Sequence, residues 1–206
     1  MRMINIYASR LGNYLARQLS FDQSEVKILS FGLEIIIGSL IKAASFVAVV
    51  AALGIVPQAS AALFSSFFFR LASGGVHCTS YYRCLMVSLT VYCAFGLMAK
   101  NLAFLNLPYN QVFILASFLA AVFAAIYAPV DCAANPIVSQ QRKRNLKIIA
   151  TAIPVVYIII ALTTRLPADI LLAATLSISF QVFTLTPPGG SFIVTADNFL
   201  KRTIKV

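Results

Sequence analysis

ILSFGLEIIIGSLIKAASFVAVVAAL, residues 28–53, carries two charges, Glu34 and Lys42, in an otherwise apolar or small-residue run. As a helix rising 1.5 Å per residue, it exceeds the roughly 20 residues needed to cross a hydrocarbon core of about 30 Å. Five more apolar stretches follow, at 61–72, 81–98, 112–128, 146–161 and 168–183. The second is short for a span, so it is expected to be extended at an end or to dip in and return. The reading is an all-α polytopic integral membrane protein with about six transmembrane helices. It forms a single membrane-embedded domain over 1–206, with a cytoplasmic tail from 186.

Composition agrees. The 206 residues are 60% hydrophobic and 11% charged, against the 45–50% and 25% usual in soluble domains. That balance excludes disorder and a soluble enzyme. The net charge of +10 calls for a membrane explanation before a nucleic-acid one, because Lys and Arg collect in short cytoplasmic loops. With the N-terminus inside and six crossings, thirteen basic residues fall on the cytoplasmic side, and only Lys100 and Arg165 fall outside. Both ends are therefore expected in the cytoplasm. Residues 1–27 spread Arg2, Arg10, Arg17 and Lys27 through the segment, unlike a signal peptide. Ile4, Leu11, Tyr14, Leu15 and Leu19 recur at helical spacing, which predicts an amphipathic helix on the membrane surface or against the bundle.

Ionisable groups inside a span are costly unless paired. Lys42 lies near mid-bilayer and Glu34 is shallower, within reach of the cytoplasmic side and of Arg70 on this reading. Each serves either as a polar contact for substrate or as an internal ion pair. Arg70 offers a five-donor fork suited to a carboxylate, from Glu34 or from substrate.

The chemistry concentrates in Arg70-Leu-Ala-Ser-Gly-Gly-Val-His-Cys-Thr-Ser-Tyr-Tyr-Arg-Cys84. It holds the only histidine, His77, two of the four cysteines, and the pair Gly74-Gly75. One straight helix would hold His77 and Cys84 roughly 10 Å apart, too far for proton transfer. A working Cys–His pair therefore needs a break. Gly74-Gly75 supplies a sharp turn, and Ser80 is a candidate N-cap for the next helix. Cys84 then lies near the helix N-terminus, beside Arg83, where a thiolate is favoured. Cys78 competes for the nucleophile role. Cys93 and Cys132 read as structural. A single histidine and unclustered thiols offer no conventional zinc site, and no cofactor is expected.

These residues resemble the AgrB-like membrane peptidases, the accessory gene regulator B family. Arg70, Gly74-Gly75, His77 and Cys84 match its signature. Phe31-Gly32-Leu33-Glu34 is similar to its early Tyr/Phe-Gly-x-Glu stretch. Tyr127-Ala128-Pro129-Val130-Asp131, Asn135-Pro136 and the basic run Arg142-Lys143-Arg144 are similar to its central loop. The similarity covers roughly 5–185. It implies a cytoplasm-facing cysteine endopeptidase of the bacterial plasma membrane, with His77 and Cys84 catalytic, that cuts a peptide pheromone precursor for quorum sensing. The acyl group then passes to a Cys or Ser of the substrate, giving a thiolactone or lactone. Candidates for a third catalytic member are Asp131, Glu34 and Asn135. Cys78 after His77 is not part of the signature.

The expected partners are the precursor, the lipid bilayer and possible second copies of the chain, not nucleic acid. Arg142, Lys143, Arg144 and Lys147 either hold an acidic part of the precursor or simply fix topology. The alternative function is a small polytopic transporter or channel without hydrolytic activity. It would show internal repeats and broken helices near the midplane, whereas no repeat is visible and the polar cluster lies at the inner face.

Overall fold

The computed structural model describes residues 2–19, 21–76, 78–105, 107–131 and 138–203, the side chains of 2–4, 17 and 19 apart. The described residues are mainly helical, without a named strand, and form two compact units, 1–53 and 54–206.

The first unit is a helical hairpin. Helix α1 spans Arg2–Leu19 and α2 spans Gln23–Ala52. Asp22 separates them: its Oδ1 accepts from the backbone N–H of Ser24 and Glu25 at 2.8 Å each, while Glu25 Oε2 accepts from the Asp22 N–H at 2.9 Å. This capping box satisfies orphan donors at the start of α2. The 1–27 segment is thus divided, and α2 begins five residues before the apolar stretch expected from 28. Ala8, Gly12 and Ala16 recur every fourth residue and are buried. A side chain at Gly12 would collide with Ser30 of α2, so small residues set the close approach of α1 to α2. Tyr7, Leu11 and Tyr14 stay exposed.

The second unit contains α3 (Val56–Ser73), α4 (Tyr81–Leu102), α5 (Tyr109–Tyr127), α6 (Gln140–Thr163), α7 (Ala168–Leu185) and α8 (Pro187–Thr203). Helices α3 and α7 form its centre. Phe69 and Ala72 of α3 share a core with Ala120 and Ala124 of α5 and Ile178 and Leu185 of α7. Ala62, Ala99 and Ala173 make a second contact between α3, α4 and α7. Small side chains let backbones approach where lipid offers no hydrophobic drive. Interhelical hydrogen bonds add direction: Ser177 donates to the Ala62 carbonyl at 2.6 Å, and Tyr157 donates to the Ser65 carbonyl at 2.7 Å.

Among the described residues, five helices are long and apolar enough to cross a membrane: α2, α4, α5, α6 and α7. The short second stretch becomes an 18-residue helix, extended mainly at its N-terminal end. Helix α3 is too polar to join the five, yet it runs parallel to α7 along the same length. Gln58 in its first turns donates to Asp169 at the start of α7 at 2.7 Å, and Arg70 near its end meets Gln181 near the end of α7. Its polar side chains are sheltered by α4, α6 and α7, so it needs less hydropathy than a lipid-facing span. Two further expectations are corrected. The basic run Arg142-Lys143-Arg144 lies in the first turns of α6 rather than in a loop, and the tail expected from 186 is largely a further helix, α8.

Candidate active site

The end of α3 is shaped by glycine. Gly74 has φ +72°, its N–H donates to the Arg70 carbonyl at 2.9 Å, and a Cβ there would strike the Val130 carbonyl oxygen. With ψ −153° this is a region open essentially to glycine, costing other residues about 1–3 kcal/mol. Gly74 pairs with Val130 as an isolated bridge, and the Val130 N–H donates to the Ser73 carbonyl at 2.9 Å. The segment after α5 is thereby tied to the end of α3, with the exposed Asp131 next along the chain. Gly75, at φ +138°, is buried; a Cβ there would lie 3.4 Å from the Arg70 guanidinium carbon.

Arg70 turns inward. Its guanidinium donates to Gln181 Oε1 at 3.0 Å and to the Val76 carbonyl at 2.5 Å. Among the described residues its partners are these neutral groups rather than a carboxylate. Gln181 is buried, and its amide nitrogen donates to the Gly74 carbonyl at 3.1 Å and to Ser73 Oγ at 3.3 Å. One α7 side chain thus fixes both the turn and the cation that faces it. In the other unit, Glu34 accepts from Asn5 Nδ2 at 3.2 Å.

The expected break between Gly74 and Cys84 is present. Residues 74–76 and 78–80 are non-helical, and α4 starts at Tyr81. Ser80 occupies the N-cap in an extended conformation, but its side chain makes no capping hydrogen bond. Its carbonyl accepts from the Cys84 N–H at 3.0 Å, which places Cys84 at the close of the first helical turn. Cys84 and Cys78 are both half-buried thiols. His77, Cys132 and Asn135 lie outside the described residues.

Asp197 of α8 completes the surroundings. Its Oδ1 accepts from Arg83 Nε at 2.6 Å; its Oδ2 accepts from Thr79 Oγ1 at 2.7 Å and the Thr79 N–H at 3.2 Å. Arg83 also donates to Thr79 Oγ1 at 2.6 Å. Burial alone would raise the Asp197 carboxyl, but the hydrogen bonds from Thr79 and Arg83 outweigh it and hold the group below the usual carboxylate range. Burial pushes the Cys78 thiol up; the nearby Cys84 and Asp197 add to this, while Arg83 and Arg70 oppose it. Two thiols, two guanidinium groups and one carboxylate therefore share one electrostatic neighbourhood.

The family model described as Accessory gene regulator B matches residues 8–185. The chain belongs to the AgrB family. An AgrB-like protein of Clostridium perfringens (strain SM101 / Type A) is 22% identical over 98% of this chain and 100% of its own length. A second, from strain 13 of that organism, is also 22% identical, over 98% and 100%. An AgrB-like protein of Listeria monocytogenes serotype 4b (strain CLIP80459) is 26% identical over 61% of this chain and 60% of its own. No solved structure matches. With its apolar helices, this AgrB-family chain is a multi-pass membrane protein.

Sequence reasoning singled out Arg70, Gly74, Gly75 and Cys84; the structure packs Gly75 against the Arg70 guanidinium and sets Cys84 at the close of the first turn of α4. It missed Gln181 and Asp197. Each had a signal: Gln181 is a lone amide in an apolar span, where an unpaired polar group is expensive, and Asp197 is a single acid in a basic tail. Arg142, Lys143 and Arg144 are exposed on α6.

Proposed function

We propose that this AgrB-family protein is a membrane cysteine endopeptidase that processes a peptide pheromone precursor on the cytoplasmic side. The observation that carries the reading is the break after Gly74. It parts the end of α3 from α4 and leaves Cys84 at the close of α4's first turn, one residue after Arg83.

In the proposed reaction Cys84 Sγ attacks the scissile carbonyl while His77 takes the thiol proton. The tetrahedral adduct collapses, His77 returns the proton to the leaving amine, and the C-terminal segment departs. This leaves a thioester on Cys84. A Cys or Ser of the substrate attacks that thioester, its proton passes to His77, and Cys84 is released as the ring closes. Exchange of one thioester for another is close to isoenergetic, so a thiolactone needs no nucleotide, provided water is excluded from the acyl-enzyme. Arg70 and Gln181 hold the Gly74–Val76 turn at the end of α3.

Orientation follows from charge. If α3 crosses alongside α7, six crossings leave both ends, the Gly74–Ser80 segment and the start of α6 on the cytoplasmic side. Arg142, Lys143 and Arg144 oppose the positive end of their own helix dipole, at about 0.3–1 kcal/mol each. Positive-inside topology accounts for that placement, and an acidic part of the precursor would find a cationic surface there.

The test is cleavage of precursor by the purified protein in liposomes. Cys84→Ala and Cys84→Ser should abolish cleavage while inserting normally, because a serine hydroxyl has a far higher pKa than a thiol. Cys78→Ala should cleave nearly as the parent does. Retained cleavage in Cys84→Ala would remove the proposed nucleophile.

A further inference from the structure

The start of α4 is flanked by a carboxylate of another helix. Ser80 stands at the N-cap without a side-chain hydrogen bond, and the positive end of the helix dipole there favours a nearby anion. A carboxylate from the far end of the chain binds beside this helix start. Asp197, 5% exposed, reaches from α8 to the Thr79 N–H, the Thr79 hydroxyl and Arg83 Nε. The same carboxylate pairs a half-buried guanidinium one residue before Cys84, and holds a residue two positions after His77.

Helix α8 is built to deliver it. A Cβ on Gly189 would overlap the backbone of Phe183 and Thr184, so glycine permits the tight turn from α7 into α8. Gly190 packs against Val76 of the site loop, where an added Cβ would sit 3.3 Å from its methyl group. Phe192 stacks edge-on against Phe183 with ring centroids 5.9 Å apart, and Ile193 is buried. The helix thus touches the loop at two places, through Gly190 at Val76 and through Asp197 at Thr79. It lies beyond residue 185, where the family match stops.

We propose that Asp197 is a positioning residue for the peptidase reaction, and that α8 is a clasp that fixes Val76, Thr79 and Arg83 so that the first turn of α4, which carries Cys84, keeps its position for the reaction. The inference rests on the cysteine-peptidase reading. Asp197 touches neither the scissile bond nor, among the described residues, the Cys84 sulfur. It acts through Thr79 and Arg83. Its charge works against thiolate formation nearby, since Asp197 and Cys84 raise the Cys78 thiol alongside burial, while Arg83 from α4 and Arg70 from α3 lower it. Its service is therefore geometric rather than activating.

The experiment combines turnover with peptide-resolved alkylation in liposomes. In Asp197→Asn, kcat should fall about 10–100-fold, as for a displaced reacting group, with KM little changed. Iodoacetamide labelling of Cys78 should become faster, and its pH midpoint should move down as the carboxylate's charge and the loop's cover are lost. Unfolding would also speed Cys78 labelling, so an unchanged KM and recovery by an exchange pair separate the clasp from loss of fold. The exchange pair Arg83→Asp with Asp197→Arg should recover part of the lost turnover relative to either single variant. Should Asp197→Asn insert poorly, Thr79→Val carries the same test, with a smaller fall in kcat and faster Cys78 labelling. Parent-like kcat and parent-like labelling in Asp197→Asn would overturn the clasp. The labelling arm does not depend on cleavage, so it tests the clasp even if Cys84→Ala continues to cut and the peptidase reading fails.

Discussion

Single residues at the site owe their identity to backbone demands as much as to chemistry. Gly74 combines φ +72° with an approach to the Val130 carbonyl that no Cβ permits. Gly74→Ala should lower stability by about 1–3 kcal/mol and reduce cleavage, read by thermal unfolding in detergent alongside turnover. Gln181→Leu keeps an apolar bulk but removes the ties to Arg70, Ser73 and Gly74. At about 0.6 kcal/mol for an interhelical hydrogen bond in lipid, insertion should survive while cleavage falls. Parent-like cleavage would show that Arg70 is held well enough by the Val76 carbonyl. The Asp197 carboxyl is depressed below its ordinary value. A depressed acid contributes stability that is present above the unfolded pKa of about 3.9 and is lost as pH falls through its lower folded value. Protection of the 78–84 amides against hydrogen exchange should therefore be flat from neutral pH down to about 5 and fall only in stronger acid. These residues differed in how readable they were. Gly74-Gly75 and Cys84 declare themselves through local spacing. Gln181 and Asp197 act 107 and 118 positions away from their partners, and no local pattern reveals such pairings.

At the level of elements, hydropathy located most helices because lipid leaves each span to satisfy its own backbone. The apolar stretches at 81–98, 112–128 and 168–183 became α4, α5 and α7 with shifts of a few residues. Where helices meet other helices, hydropathy misled. Helix α3 keeps serines, Gln58 and Arg70 because its neighbours cover them, so its apolar signal shrank to 61–72. Helix α8 begins at Pro187-Pro188-Gly189-Gly190, a sequence that reads as a turn. Proline is tolerated at a helix start, and the close approach to Phe183 and Thr184 explains Gly189. The charges of α6 read as loop, although Ser139 caps them by accepting from the Arg142 N–H at 3.4 Å. Replacing Arg142, Lys143, Arg144 and Lys147 together by Gln should relieve dipole strain in α6. If the cluster also holds precursor, cleavage at low salt should drop and lose its salt dependence. Unchanged cleavage with correct insertion would leave topology as the cluster's only role.

For the molecule as a whole, the central claim is a cysteine nucleophile at the cytoplasmic face of a six-crossing membrane protein. Charge placement predicts both ends inside. A membrane-impermeant thiol reagent should reach cysteines placed near either terminus only from the cytoplasmic side, and labelling from opposite sides would mean that α3 does not cross. Topology alone leaves the chemistry open, because a transporter could share it. The most direct measurement is mass spectrometry of the acyl-enzyme trapped during precursor cleavage in liposomes. The account predicts a thioester adduct on the Cys84 peptide, lost in Cys84→Ala and absent in His77→Ala. An adduct on Cys78, together with continued cleavage by Cys84→Ala, would contradict it.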